Sequence, residues 1–290
     1  MTANVGLGKL IIKIIMKQIL TSIIMSFAAM TAMAQTKADI EVSYTAMSPN
    51  FKNGEVDVKN QYVLLANAKE SKFFSPISEW VDSINSTPDG ASKFQEMGRA
   101  AAMKGDWDNI PRRDGSYYVV KSLAKNKMRI YDVIGAVNKL YYDETPDEWI
   151  WEITDSTKNI LGYECIKAST DYHGRRWEAW FAPEIPVQNG PWKLEGLPGL
   201  ILEASADGGK YTFTATGIQE TTKPIIPVYR TDEYEKTDRK GFYKSKRAFI
   251  DNPLGSINSQ LGGGVKVSAN SGDPIFATKD VVDFIETDYR

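Results

Sequence analysis

The 290-residue sequence holds one cysteine, Cys165, and one histidine, His173. A lone cysteine closes no intramolecular disulfide, and one cysteine with one histidine cannot assemble the clustered N/S ligands of a zinc or iron site. A basic surplus is missing too. Thirty-five Lys and Arg stand against thirty-seven Asp and Glu, a formal net charge of −2, so the cationic footprint that a phosphate backbone needs is absent and no nucleic-acid partner is expected. Several catalytic and ligand-binding templates also fail. There is no Gly-x-Ser-x-Gly nucleophile turn, and Gly262-Gly263-Gly264 lacks the Lys-Ser/Thr pair of a P-loop. Asp106-Trp107-Asp108-Asn109 offers clustered oxygens, but Ile110 and Pro111 stand where a calcium loop requires Asp or Asn and then Gly. No catalytic residue, cofactor or metal ligand is assigned on these grounds. Carboxylate pairs stay open, since thirty-seven acids allow many pairings and none is singled out.

What the chain does have is an export segment and a large aromatic supply. After Met16-Lys17-Gln18 an apolar run extends through residues 19–32 and ends in Ala32-Met33-Ala34 before Gln35, the pattern of a signal peptide cleaved after Ala34. Met16 reads as the natural start, and the mature protein is expected in the periplasm or secreted. An uncleaved anchor over residues 10–33 is the weaker reading, because Lys13 and Lys17 would each cost a few kcal/mol within a span. Seven Trp, fourteen Tyr and eleven Phe favour pleated, half-buried surfaces.

Period-two alternation predicts a strand at residues 39–47, the apolar run Tyr62 to Leu65 a second at 61–68, and short stretches punctuated by Asn, Asp, Gly and Pro a series at 117–122, 127–133, 139–143, 148–154, 162–170, 175–182, 199–204 and 210–217. Short turns between successive strands exclude parallel neighbours, so the expected fold is mainly β (α+β), a curved antiparallel meander with a few short helices. One hairpin can be read in register. With His173-Gly174 at the turn, Thr170 faces Trp177, Ala168 faces Ala179 and Ile166 faces Phe181, while Lys167, Ser169 and Asp171 share the other face with Trp180, Glu178 and Arg176. That places His173 in solvent at the tip, about 26 Å from Cys165 for eight extended residues. Cys165 itself reads as a small buried hydrophobe.

Helices are expected near 91–104, which is rich in Ala, Met and Glu, and near 232–250, ending at Asn252-Pro253. The organisation is then a signal peptide over 1–34, a single antiparallel β-rich domain over 35–255 and a loosely structured tail over 256–290, with a last strand or helix near 281–285.

Gly196-Leu197-Pro198-Gly199-Leu200-Ile201 spells a signature, and Gly162-Tyr163-x-Cys165, Ala179-Trp180-Phe181, Ile185-Pro186 and Gly190-Pro191-Trp192 surround it. Over residues 115–220 the chain resembles the GLPGLI family of Bacteroidota, also called the Porph_ging domain, a family whose function is not established. Physically, Pro fixes φ and Gly accepts positive φ, so the motif reads first as a turn leading into a buried strand, with a ligand-mouth loop as the alternative. A looser similarity, by analogy of pattern, is to lipoprotein carriers of the LolA type, in which a curved sheet encloses an apolar pocket. Trp177, Trp180 and Trp192 form a candidate apolar binding wall, with core and rim packing as the plainer reading. The leading expectation is a non-enzymatic exported protein that binds an apolar small molecule or lipid, or a protein partner, on its curved sheet. The alternatives are an envelope assembly factor working with an outer-membrane or transport component, and a carboxylate-dependent hydrolase.

Overall fold

Alternation along the first strand, β1 (Ile40–Pro49), buries Val42, Tyr44 and Ala46 on one face, and the same alternation recurs across the sheet. The computed structural model describes residues 36–49, 54–105, 113, 115–135, 138–146, 149–261 and 283–289. The export segment, the loop at 106–109 and the glycines at 262–264 lie outside the described residues. The chain divides into two units, residues 1–36 and 37–290, and the sheet belongs to the second.

The remaining strands are β2 (Val56–Ala66), β3 (Glu70–Phe74), β4 (Tyr118–Ser122), β5 (Lys127–Ile134), β6 (Asn138–Glu144), β7 (Glu152–Ile160), β8 (Tyr163–Tyr172), β9 (Arg175–Ala182), β10 (Leu200–Ala206), β11 (Tyr211–Glu220) and β12 (Glu235–Lys236). They make one twelve-stranded sheet in the order β12-β6-β5-β4-β3-β2-β1-β11-β10-β9-β8-β7. Among the described strands only β12 runs parallel to its neighbour. The fold is thus two meanders, β1 to β6 and β7 to β11, sewn together along β1 and β11. The predicted hairpin forms in the predicted register, with Ile166 opposite Phe181, Ala168 opposite Ala179 and Thr170 opposite Trp177.

The sheet curls strongly. β6 and β8 stand nine places apart, which at about 4.8 Å per strand would separate them by roughly 43 Å in a flat sheet. Yet the Tyr172 hydroxyl, at the end of β8, donates to Glu144 Oε1 at the end of β6 at 2.9 Å. The inner face therefore closes on a single aromatic core that includes Tyr44, Tyr62, Phe73, Tyr142, Trp177 and Phe213. Leu65, Phe74, Tyr118, Tyr131 and Val133 point to the outer face, where Ile225, Val228 and Tyr234 cover them.

Four helices occur among the described residues: α1 (Pro76–Asn85), α2 (Gly90–Met103), α3 (Arg239–Asp251) and α4 (Pro253–Leu261). Ser75 caps α1, with Pro at its first turn, and Asp238 caps α3 by accepting from the Gly241 N–H at 2.6 Å. The helix expected over 232–250 is shorter than its charge pattern suggested. Residues 231–236 form a 3₁₀ turn and β12 instead, because Glu235 and Lys236 pair with the free edge of β6. Asn252-Pro253 does break the helix, and Pro253 then opens α4. The tail departs from expectation at its far end: residues 283–289 are docked, with Phe284 at 4% and Glu286 at 0% exposure.

Candidate functional site

Two features cover the inner face of the sheet. The first is the connection between β9 and β10, which carries the signature motif. Leu194, Leu197, Leu200 and Ile201 are fully buried, while Gly196 and Pro198 stay exposed. Gly196 takes φ +87°, a left-handed conformation suited to glycine. Gly199 answers to a different constraint, since a Cβ there would lie 2.3 Å from the Ala182 carbonyl oxygen. Gly199→Ala should consequently destabilise the fold by about 1–3 kcal/mol; an unchanged urea midpoint would show that the backbone can shift at no cost. Lys121 of β4 anchors the same loop from beneath. Its ammonium donates to Asn189 Oδ1 at 2.9 Å and to the Leu194 carbonyl at 2.8 Å, and burial, opposed by Glu195, pushes its pKa down to about 8. On its outer side the loop borders a polar cleft of about 520 Å³ through Pro186, Gln188, Glu195 and Gly196, so part of the motif does edge a cavity.

The second cover is α3 together with residues 284–286. Between these and the sheet lies a cavity of about 150 Å³. Tyr62, Tyr142, Trp192, Phe213, Phe242 and Tyr243 are among the rings that wall it, and Asn60, Asp132, Lys246 and Glu286 supply polar atoms. Asp132 is buried and fully engaged. It accepts from Lys246 Nζ at 2.6 Å and from the Val133 N–H at 2.8 Å, and from the Ser116 hydroxyl.

The three tryptophans divide between the faces. Trp177 and Trp192 stack at 5.3 Å, and Trp192 reaches the cavity with Trp177 behind it. Trp180 points to the opposite face, where Lys158 Nζ lies 4.3 Å from its ring centre. It is no part of an inner binding wall, as the alternation along β9 requires.

Beside the cavity sits a cluster of charges that the sequence did not reveal. His173 occupies the β8–β9 turn with φ +52°, but its side chain is only 9% exposed, which corrects the expectation of a solvated tip. Its Nε2 lies 2.7 Å from Glu144 Oε1 and its Nδ1 lies 3.3 Å from Asp288 Oδ2. Lys193 Nζ bridges Glu144 Oε2 at 2.5 Å and Glu286 Oε1 at 2.6 Å, and Arg239 pairs with both Glu286 and Asp288. The turn histidine is buried because the C-terminal segment folds over it.

Burial pushes the Glu144 carboxyl up, but the hydrogen bond from His173 and the charge of Lys193 outweigh it and hold the pKa at about 2. Glu286 is likewise kept below the usual carboxylate range, burial being overcome by Lys193, His173 and Arg239. Neither group can serve as a general acid near neutral pH. His173, Glu286 and Asp288 place ligand atoms within 4.8 Å of one another, the spacing of a metal site. Resident cations already hold these carboxylates, so the donor set fits ion pairing better than a metal. A folded-state pKa depressed below the unfolded value adds stability that is complete above about pH 4.5 and is lost as pH falls toward 2. For Glu144 that contribution is about 3 kcal/mol. The urea midpoint should fall steeply across this window, and less steeply in Glu144→Gln; parallel profiles would refute the assignment.

Comparison with known proteins finds one partial family match and low-identity structural likenesses. Residues 112–242 match the family described as the N-glycanase peptide, N-terminal domain. No curated protein matches. Two solved structures of PNGF-II, in space groups C2 and P21, are similar at 15% and 16% identity, cover 71% and 73% of this chain and have TM-scores of 0.46 and 0.45. The alignments cover 32% and 33% of those chains, so this chain spans about a third of their length.

Proposed function

We propose that this chain is an exported, non-catalytic binding domain that receives one ring of a carbohydrate in its inner cavity. The observation that carries this reading is the cavity itself. Engineered cavities of about 150 Å³ accept a single benzene-sized ring, and the same volume lies below the roughly 300–1,000 Å³ of sites that enclose drug-sized ligands. A lipid chain is therefore a poor match, which turns the expectation of an apolar cargo toward a smaller ligand. Ring faces such as those of Phe213 and Phe242 suit the C–H faces of a sugar, while Asn60 and Lys246 can meet its hydroxyls. The match of residues 112–242 to an N-glycanase domain supports a carbohydrate over other single-ring ligands. Export and the GLPGLI resemblance belong to the same proposal, since a binding domain of this kind would meet glycans outside the cytoplasm.

The test is a titration of the mature protein with N-acetylglucosamine, mannose and a long-chain fatty acid, followed by protein-observed NMR. Saturable shifts with a sugar that disappear in Asn60→Ala and Phe242→Ala are expected. Absence of sugar binding, or saturable binding of the fatty acid alone, would overturn the reading.

A further inference from the structure

Residues 283–289 have no strand or helix of their own, yet three of their acids and several of their backbone groups are held by other elements. Asp283 pairs with Arg175 at 2.6 Å and with Lys210 at 2.5 Å. Glu286 pairs with Lys193 and Arg239, and Asp288 with Arg239 and His173. The backbone is read as well. Arg175 donates to the carbonyls of Phe284 at 2.5 Å and Ile285 at 2.9 Å, and the Tyr211 hydroxyl donates to that of Asp283 at 2.5 Å. The Thr287 N–H donates to the His173 carbonyl at 3.0 Å. Between the charged positions Phe284 is buried against Tyr243, with ring centres 5.5 Å apart.

The receiving surface comes entirely from other elements: the β8–β9 turn, β9, β11, the β9–β10 loop and α3. Arg175, Lys193, Lys210 and Arg239 line it, against which Glu144 and Asp207 are the facing acids outside the segment. Emptied of residues 283–289, this channel would keep four cations, Arg175, Lys193, Lys210 and Arg239, against the two acids Glu144 and Asp207, so its charge favours an acidic occupant. Its selectivity is also positional, because acid, aromatic and acid each meet a separate partner. Side-chain forks to backbone carbonyls and charge-assisted pairs hold an extended peptide without a β-ladder, a mode suited to capturing segments in trans.

We propose that this channel is a recognition groove for extended acidic segments of the pattern Asp-Phe-Ile-Glu-x-Asp, occupied in cis by the chain's own residues 283–288, and that a partner protein presenting such a segment displaces them. Residues 262–282 tether the cis segment to α4, and tethering gives it an effective concentration that a free competitor has to exceed. Phe284, Ile285 and Glu286 also line the inner cavity, so an exchange of segments would remodel that cavity. The groove's own cations, Arg175, Lys193, Lys210 and Arg239, take no part in lining that cavity, so peptide exchange can be read separately from sugar binding.

The experiment uses the full chain with a protease site inserted within residues 262–282, cut after folding, and a fluorescent peptide of residues 283–290. The cut segment should stay bound on gel filtration and exchange with excess labelled peptide, raising its anisotropy. Peptides carrying Phe284→Ala or Glu286→Ala should compete at least tenfold more weakly, and a scrambled peptide of equal charge likewise. In the uncut chain, Phe284→Ala should permit binding of added wild-type peptide at concentrations where the uncut wild type binds none. A segment that never exchanges, equal competition by the scrambled peptide, or unfolding on cutting would each show that residues 283–289 are a fixed part of the fold and would overturn the proposal.

Discussion

Lys193→Met should lower stability by about 3–5 kcal/mol, the cost of removing one partner from a buried ion pair. The side chain of Lys193 is 1% exposed, and its ammonium is shared between Glu144 and Glu286, themselves 13% and 0% exposed. Without it, two buried carboxylates are left with His173 and Arg239 for compensation. Methionine preserves much of the length of the stem, so the loss reports charge more than volume. Two further readings isolate the effect. The deficit should shrink at low pH, where protonated carboxyls no longer need the ammonium, and adding Glu286→Gln should recover part of it in a double-mutant cycle. A loss under about 1 kcal/mol at neutral pH would mean that water or rearranged neighbours replace the lysine with ease.

Trp177→Ala is expected to cost a similar amount, about 3–5 kcal/mol, through lost burial and the void left behind. Trp177 is 0% exposed and stacks on Trp192 and, at 6.4 Å, on Phe213, so its removal joins new space to the inner cavity. Trp177→Phe should be much milder. Among the described residues the buried indole N–H has no hydrogen-bond partner, so phenylalanine sheds an unsatisfied donor while keeping an aromatic face. Chemical denaturation of both variants checks the pair, and equal losses would mean that the indole edge carries the packing. If the alanine variant also binds larger rings than the wild type does, the inner cavity is the place where ligands sit.

Much of the sheet was legible because its strands alternate over short, local stretches. The β8–β9 hairpin shows this best, since a two-residue turn and one apolar face leave only one register. β3 and α1 were not legible, for opposite reasons. β3 is five residues long and buries Lys72, whose ammonium is held 2.6 Å from Glu79, so a central strand reads as polar. α1 had a readable start in Ser75-Pro76 but only a short apolar face behind it. At the site, Trp177 and Trp192 were legible as inward-facing aromatics, and strand alternation alone separates Trp180 from them. The charged cluster was not, because its members come from distant parts of the chain. His173 and Asp288 lie 115 positions apart, and no local pattern tells whether a turn side chain will later be covered. A turn histidine followed by Gly174, in a chain with no other imidazole, was the one available signal.

The seam between the two meanders also has a kinetic meaning. β1, the first strand of the sheet, has β11 as one neighbour, and Tyr44 donates to the Ile201 carbonyl across 157 positions of sequence. Such distant pairings require a large loop to close before they stabilise anything, and folds dominated by them form slowly. The first meander can grow hairpin by hairpin, but its opening strand stays a bare edge until β11 has been synthesised. A nascent chain of this topology therefore keeps its opening strand unpaired on one side for longer than a chain whose first strands complete their own sheet.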